Sequence, residues 1–177
     1  MRILFLHGHD TKPGDKKSQH LQRMGHHVLN PLLPPTDFEK STKIALEEYQ
    51  KHTPDLVVGV GRGGAIAMSL GLQGTKMILI APTWRKYNVK PTVPLGTVIF
   101  HCEQDEVVPF ADSKEIPGRT LVKCGTDNRM SDLEVFNELE NAVKKISSEI
   151  EHENKRKQSF LVKAKNSFYN LLEVKVK

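Results

Sequence analysis

Cysteine is nearly absent from this sequence: Cys102 and Cys124 are the only two in 177 residues. Two thiols supply no disulfide framework, and they lack the C-x-x-C spacing of a metal site or redox pair. Long hydrophobic runs are missing as well. The hydrophobic share is 38%, and no apolar stretch approaches the roughly eighteen residues that a membrane span requires. The opening MRILFLHGHD carries one arginine and a short apolar run that leads into a turn, not into a small-residue cleavage site. No secretory signal is expected there. No internal repeat is evident. These absences lead us to expect a reduced, cytoplasmic protein whose length suits one domain with a proper core.

A general excess of basic charge is missing too. The net charge is +5, but residues 151–177 hold seven Lys/Arg against three Asp/Glu and carry most of it. Residues 1–150 are close to neutral, which gives no reason to expect nucleic-acid binding by the core.

What is present is an alternation of short β-rich apolar runs with amphipathic segments. Arg2–His7, His27–Leu29, Asp55–Val60, Lys76–Ala81, Thr97–His101 and Arg119–Cys124 read as strands. Helices are expected over about Asp15–Met24, from a cap at Asp37 through Lys51, over Arg62–Leu72 and over Ser131–Ile150. Phe38, Ile44, Ala45 and Tyr49 form the apolar side of the second helix. In the last, Ser131 is the candidate cap and Leu133, Phe136, Leu139, Val143 and Ile146 share one face. Strands that are apolar throughout, separated by helices, mean a mostly parallel, doubly wound sheet covered on both faces in three αβα layers. The expected strand order is 2-1-3-4-5-6.

The chemistry-bearing stretch is VVGVGRGGAIAM, Val57–Met68. Gly59, Gly61 and Gly64 satisfy G-x-G-x-x-G, a dinucleotide-binding fingerprint. That motif should open the first βαβ unit and be followed, about 20 residues on, by an acid for the ribose. Here it follows the third strand, and the next strand ends in Ala-Pro-Thr-Trp without a carboxylate. Both context tests fail. Gly59-x-Gly61-x-Gly63 is equally the G-x-S-x-G elbow of a serine hydrolase, with glycine in place of serine. In that arrangement an acid follows a later strand, and a histidine comes after it. Asp105 stands just beyond the strand TVIFH, where the acid belongs. Asn128 stands in the loop before the last helix, where the histidine belongs.

Several segments in the right order carry a resemblance: FLHGH, PDLVVGVGRGGAIAM, LIAPTWRKY, HCEQDEVVPFADSKE and GTDNRMSD. Over nearly all of residues 1–145 the chain resembles a family of small, lidless bacterial α/β-hydrolases related to serine esterases. That family usually carries G-S-S-R-G-G at the elbow and D-H-R near the last helix. The resemblance implies an α/β-hydrolase fold without a lid domain, a nucleophile at position 61, an acid at 105 and a base at 128. Of these Asp105 alone is retained, since Gly61 has no side chain and Asn128 cannot act as a base near neutral pH. Asn128 is expected to donate a hydrogen bond to Asp105, which would satisfy a buried carboxylate. The alternative is that Asp105 is solvated or caps the following segment.

Backbone donors should survive. The resemblance assigns the oxyanion hole to the N–H groups of His9 and Arg62, with Gly63 beside them at a helix N-terminus that favours anions. The expected protein is a non-catalytic pseudohydrolase without cofactor or metal, whose pocket takes a small anionic or acyl ligand. Arg62 and Arg129 either add charge to that pocket or form ordinary structural contacts. The alternative is a working hydrolase using unconventional residues, for which Cys102, Cys124 and His9 are the candidates. Ser69 and Ser131 are poorly placed to replace the nucleophile. His7-x-His9 resembles a metal pair but lacks the third and fourth ligands such sites need. Beyond the resemblance, residues 151–177 repeat Leu161, Ala164, Phe168 and Leu171 at helical spacing among lysines. This tail is expected to be a further amphipathic helix for a protein partner or a membrane surface.

Overall fold

The structure is a computed structural model that describes the backbone of residues 1–174 and the side chains of residues 1–163 and 165. Six strands form one sheet: β1 (Arg2–Leu6), β2 (His27–Leu29), β3 (Leu56–Val60), β4 (Lys76–Ile80), β5 (Thr97–His101) and β6 (Arg119–Lys123). The helices are α1 (Lys16–Arg23), α2 (Phe38–His52), α3 (Arg62–Ser69), α4 (Phe110–Lys114) and α5 (Leu133–Val174), with a 3-10 turn at Arg85–Tyr87. By its contacts the chain divides into Met1–Ala142 and Val143–Lys177.

The sheet order is β2-β1-β3-β4-β5-β6, and every pairing is parallel. Parallel strands covered on both faces must be apolar throughout. In β1 the last four residues are buried, as are four of five in β3 and in β4. The chain leaves β1 toward β2 on one side and returns through β3 on the other. Such a reversal opens a crevice beyond the carboxyl ends of the strands, where ligands bind in open α/β sheets. Here it lies between β1 and β3.

Local signals account for most helix starts. Asp15 accepts the Ser18 N–H at 2.8 Å and Asp37 accepts that of Lys40 at 2.8 Å, each satisfying a donor that a helix start leaves unpaired. The last helix departs from expectation. Ser131 does not cap it; Asp132 accepts the Val135 N–H at 3.2 Å, while the Ser131 hydroxyl donates to the Arg129 carbonyl. Of the expected face, Leu139, Val143 and Ile146 are buried; Val135 is buried as well, and Leu133, in the first turn, is 75% exposed. The helix also runs on through Val174 without a break at Ile150. In the second unit Phe160, Leu161 and Val162 are exposed. The side chains of Ala164, Phe168 and Leu171, which completed the expected stripe, lie outside the described residues. No helix among the described residues is long and apolar enough to cross a membrane.

The packing of α3 is the tightest constraint. A Cβ on Gly63 would lie 2.6 Å from the His7 carbonyl oxygen and closer still to that of Leu6. One on Gly59 would lie 2.7 Å from both the Gly63 oxygen and the Gly64 Cα. Both obstacles are backbone and cannot turn aside. Gly63→Ala should therefore destabilise the protein by more than about 3 kcal/mol, the range of severe core disruptions. Urea unfolding measures this, and a midpoint near that of the unsubstituted protein would show that α3 can move off β1.

Candidate functional site

At the end of β3 the chain turns at Gly61, with φ 50° and ψ −112°, and enters α3 directly. The Gly61 N–H donates to the Ile80 carbonyl at 2.8 Å, and its own carbonyl accepts from Ala65 and Thr83, both at 3.1 Å. These bonds fix a backbone conformation that L side chains rarely adopt. A Cβ placed on Gly61 meets nothing within 4 Å, so a side chain here would project into open space. Because α3 has no side-chain cap, its first N–H groups stay available to an acceptor.

That space is a cleft of about 620 Å³ at the expected end of the sheet. The loop after β1 supplies Gly8 and His9, and the elbow supplies Gly61 and Arg62. Val107, Val108 and Pro109 form an apolar wall, and Asn128, Arg129 and Met130 come from the loop before α5. Four of the six expected site residues, His9, Gly61, Arg62 and Asn128, thus share one cavity. Gly63 and Asp105 do not line it. Gly63 lies against the backbone of β1, so its conservation of space serves packing and not ligand contact.

Of the two roles open to the Arg62 side chain, the structure shows the structural one. Only 2% exposed, it turns toward the start of α2. Its Nη2 donates to the Pro34 and Asp37 carbonyls at 2.7 and 2.9 Å and to Ser41 Oγ at 2.9 Å. The guanidinium lies 5.8 and 5.9 Å from the Phe38 and Tyr87 rings, which are stacked on each other. The group holds α2, the elbow and the Arg85–Tyr87 turn together. Arg129 likewise forms a local ion pair, with Nη2 2.6 Å from Asp127 Oδ2.

Asp105 is fully enclosed and has partners other than Asn128. Its Oδ1 accepts the N–H groups of Val107 and Val108, both at 2.8 Å. Oδ2 lies 3.3 Å from His101 Nε2, with neither side chain exposed. The alternative in which Asp105 caps the following segment is the one observed; no hydrogen bond joins it to Asn128 among the described contacts. His101 was not singled out by the sequence, although its i, i+4 spacing from Asp105 just past a strand was visible. The ring's Nε2–H points at the Val108 carbonyl, 3.1 Å away, and Nδ1 lies 2.7 Å from Ser113 Oγ. Serine and histidine are therefore hydrogen-bonded, while Asp105 Oδ2 lies beside the ring without a hydrogen bond; Ser113 is 0% exposed and does not reach the cleft. The set is a packing device.

The remaining candidates are also engaged. Burial pushes the Cys124 thiol up to about 12, far from a thiolate at neutral pH. Cys102 is buried and donates weakly to Gln104. Neither cysteine lines the cleft. His7 Nε2 accepts the Leu33 N–H at 3.2 Å, which occupies the lone pair a metal would need. No cluster of three or more potential ligands occurs among the described residues. Ser69 is exposed and bonds the Ile66 carbonyl. The sequence also gave no sign that Lys17, in the first turn of α1, would reach the cleft wall, where it is 7% exposed.

Among solved structures the chain is similar to alpha/beta hydrolase domain-containing protein 10 from mouse, with TM-score 0.66 and 14% identity over 84% of this chain and 90% of that one. Est1E from Butyrivibrio proteoclasticus gives 0.63 and 16%, covering 84% and 87%. MGS-MChE2, an alpha/beta hydrolase enzyme from a sediment metagenome of the lagoon of Mar Chica, Morocco, gives 0.63 and 18%, covering 84% and 92%. At such identities the shared property is the architecture: this chain has the α/β-hydrolase fold. Among the described residues no lid domain is inserted. No protein-family model matches the chain, and no curated protein does.

Burial of His101 holds its pKa below the ordinary imidazole value, against the opposing pull of Asp105. The unfolded chain takes up this proton near pH 6.5, the folded ring only at lower pH. Below about pH 6.5 the unfolded state then binds more protons, and stability falls as the pH falls. Urea midpoints between pH 7.5 and 5 should drop, and the drop should be smaller in His101→Gln. Equal drops in the two proteins would show that His101 does not carry the effect.

Proposed function

We propose that this chain is a non-catalytic α/β-hydrolase-fold protein that binds a small anionic or acyl ligand in the cleft above Gly61. The observation that carries the reading is the elbow: strand, strained turn and helix are built, yet position 61 offers no atom beyond Cα. Attack on an acyl carbon needs an oxygen there and a base to take its proton. Asn128 has no proton-accepting state near neutral pH. In a serine protease, removing either group lowers turnover by roughly 10^6. The unconventional alternative finds less support, because Cys102 and Cys124 are away from the cleft and His9 has no nucleophile to activate.

What remains suits binding. The N–H groups of Arg62 and His9 are the proposed donors to a carbonyl or carboxylate oxygen, at a helix end whose dipole favours negative charge. Val107, Val108, Pro109 and Met130 offer an apolar wall to an acyl chain. A reduced, cytoplasmic setting and a role for residues 151–177 as a partner- or membrane-binding helix belong to the same proposal. The folded protein should show neither stoichiometric labelling by a fluorophosphonate probe nor p-nitrophenyl acetate turnover above a heat-denatured control. Either signal would reject the non-catalytic reading.

Restoration tests the built elbow. Gly61→Ser alone should give little, because an unactivated hydroxyl is a weak nucleophile, and Asn128→His alone should give nothing. Together they should yield probe labelling and strongly non-additive turnover. The rate should stay low, because Asp105 already faces His101 and a poorly oriented base costs about 10^4 in turnover. A folded double variant that the probe does not label would show that the oxyanion donors are also lost.

A further inference from the structure

Lys17 stands where a lysine is electrostatically disfavoured. It is the second residue of α1, and the helix dipole favours acids over cations in a first turn; this first turn contains no acid. The side chain is also buried, at 7% exposure, and buried lysines are ordinarily paired. No carboxylate lies within ion-pair distance of Lys17 among the described residues. Its Nζ donates to the Arg129 carbonyl at 3.2 Å and to Ser131 Oγ at 3.4 Å, leaving one of three N–H donors unused.

The acids nearest to it are committed elsewhere. Asp15 accepts from Ser18, Asp132 accepts from Thr126 and Val135, and Asp127 holds Arg129. Their attraction does not offset burial, which holds the Lys17 pKa below the ordinary lysine value. A charge that breaks its local rules without compensation inside the protein, on the wall of a cleft, marks a position compensated by something that binds.

We propose that Lys17 is the counter-charge for a monocarboxylate ligand whose apolar body lies along Val107, Val108, Pro109 and Met130. This rests on the reading of the cleft as a ligand site and adds the ligand's class. The other cations on the wall set that class. Arg85 is held by Asp112 and Glu115, and Arg129 by Asp127. Lys86 is exposed, over the Tyr87 ring. Arg62 is also buried on the wall, but its guanidinium turns toward α2, where Nη2 donates to the Pro34 and Asp37 carbonyls and to Ser41. Lys17 is thus the buried ammonium with a spare donor, which matches a single negative charge. A phosphate, carrying about −1.5 to −2, would be left half-compensated in an apolar cleft.

The test is titration calorimetry of the full chain with octanoate, with octan-1-ol as the same chain without charge, and with inorganic phosphate as competitor. Octanoate should bind about tenfold tighter than octanol, the worth of a charged hydrogen bond. Lys17→Met should remove that preference and leave octanol binding unchanged, and phosphate should not compete. In the unsubstituted protein, the 13Cε resonance of Lys17 should titrate at higher pH once octanoate is bound. The proposal is overturned by equal binding of octanoate and octanol, by octanoate preference surviving in folded Lys17→Met, or by phosphate competition. If Lys17→Met does not fold, a Lys17 titration unmoved by saturating octanoate overturns it. Octanol binding without octanoate preference refutes the role of Lys17 alone. Binding of neither refutes the ligand site itself.

Discussion

The contact between Gly63 and the carbonyl groups of Leu6 and His7 sets the position of everything around the cleft. With no Cβ in the way, the start of α3 lies directly on the backbone of β1. That approach brings the elbow at the end of β3 beside the loop that follows β1, and so puts Gly61 and His9 on one cavity. The neighbours of Gly63 are close for related reasons: Gly59 meets the backbone of Gly63 and Gly64, and Gly64 meets Pro82. In the dinucleotide reading these glycines make room for a pyrophosphate. Here they make room for a strand.

A second layer of polar contacts holds this arrangement from behind. Arg62 ties the elbow to the start of α2 through two carbonyls and Ser41. His101 ties the end of β5 to α4 through Ser113 and to the Asp105 loop through the Val108 carbonyl. Both are charge-bearing residue types, buried, and both face inward. Neither is offered to the cleft. The loop wall Val107–Pro109 is thus positioned by Asp105, whose carboxylate accepts two successive N–H groups. An acid in this place shapes the cavity whether or not a base stands opposite it.

Much of the architecture was legible because it depends on short-range rules. Runs such as RILFL and KMILI can only be strands covered on both faces, Asp15 and Asp37 stand just before amphipathic segments, and the glycine motif follows a strand. What was missed depends on direction. Ser131 and Asp132 are both competent caps, and the apolar Leu133 beside them reads as core although the first turn leaves it exposed. Arginine after an elbow reads either as a pocket charge or as a structural contact, and the turn that decides for the second by aiming Arg62 at α2 leaves no mark in the sequence. The pairing of Asp105 with His101 instead of Asn128 is settled by a hairpin of loop that no periodicity encodes. The brief α4 and the Arg85–Tyr87 turn are too short to leave a pattern.

Lys17 shows the limit most clearly. In sequence it is one of two adjacent lysines at the start of a helix, and a solvated position is the ordinary reading for either. The fold separates them: Lys16 is exposed, and Lys17 is carried inward by the short link from β1 through Asp15. Its charge then stands opposite one carbonyl and one hydroxyl, which accept hydrogen bonds but carry no net charge. Such partners satisfy geometry and leave the electrostatic cost of burial unmet. Asn128, on the same cleft wall, is neutral and adds no competing cation. The buried wall of the cleft therefore carries a lysine charge with no carboxylate opposite it among the described residues.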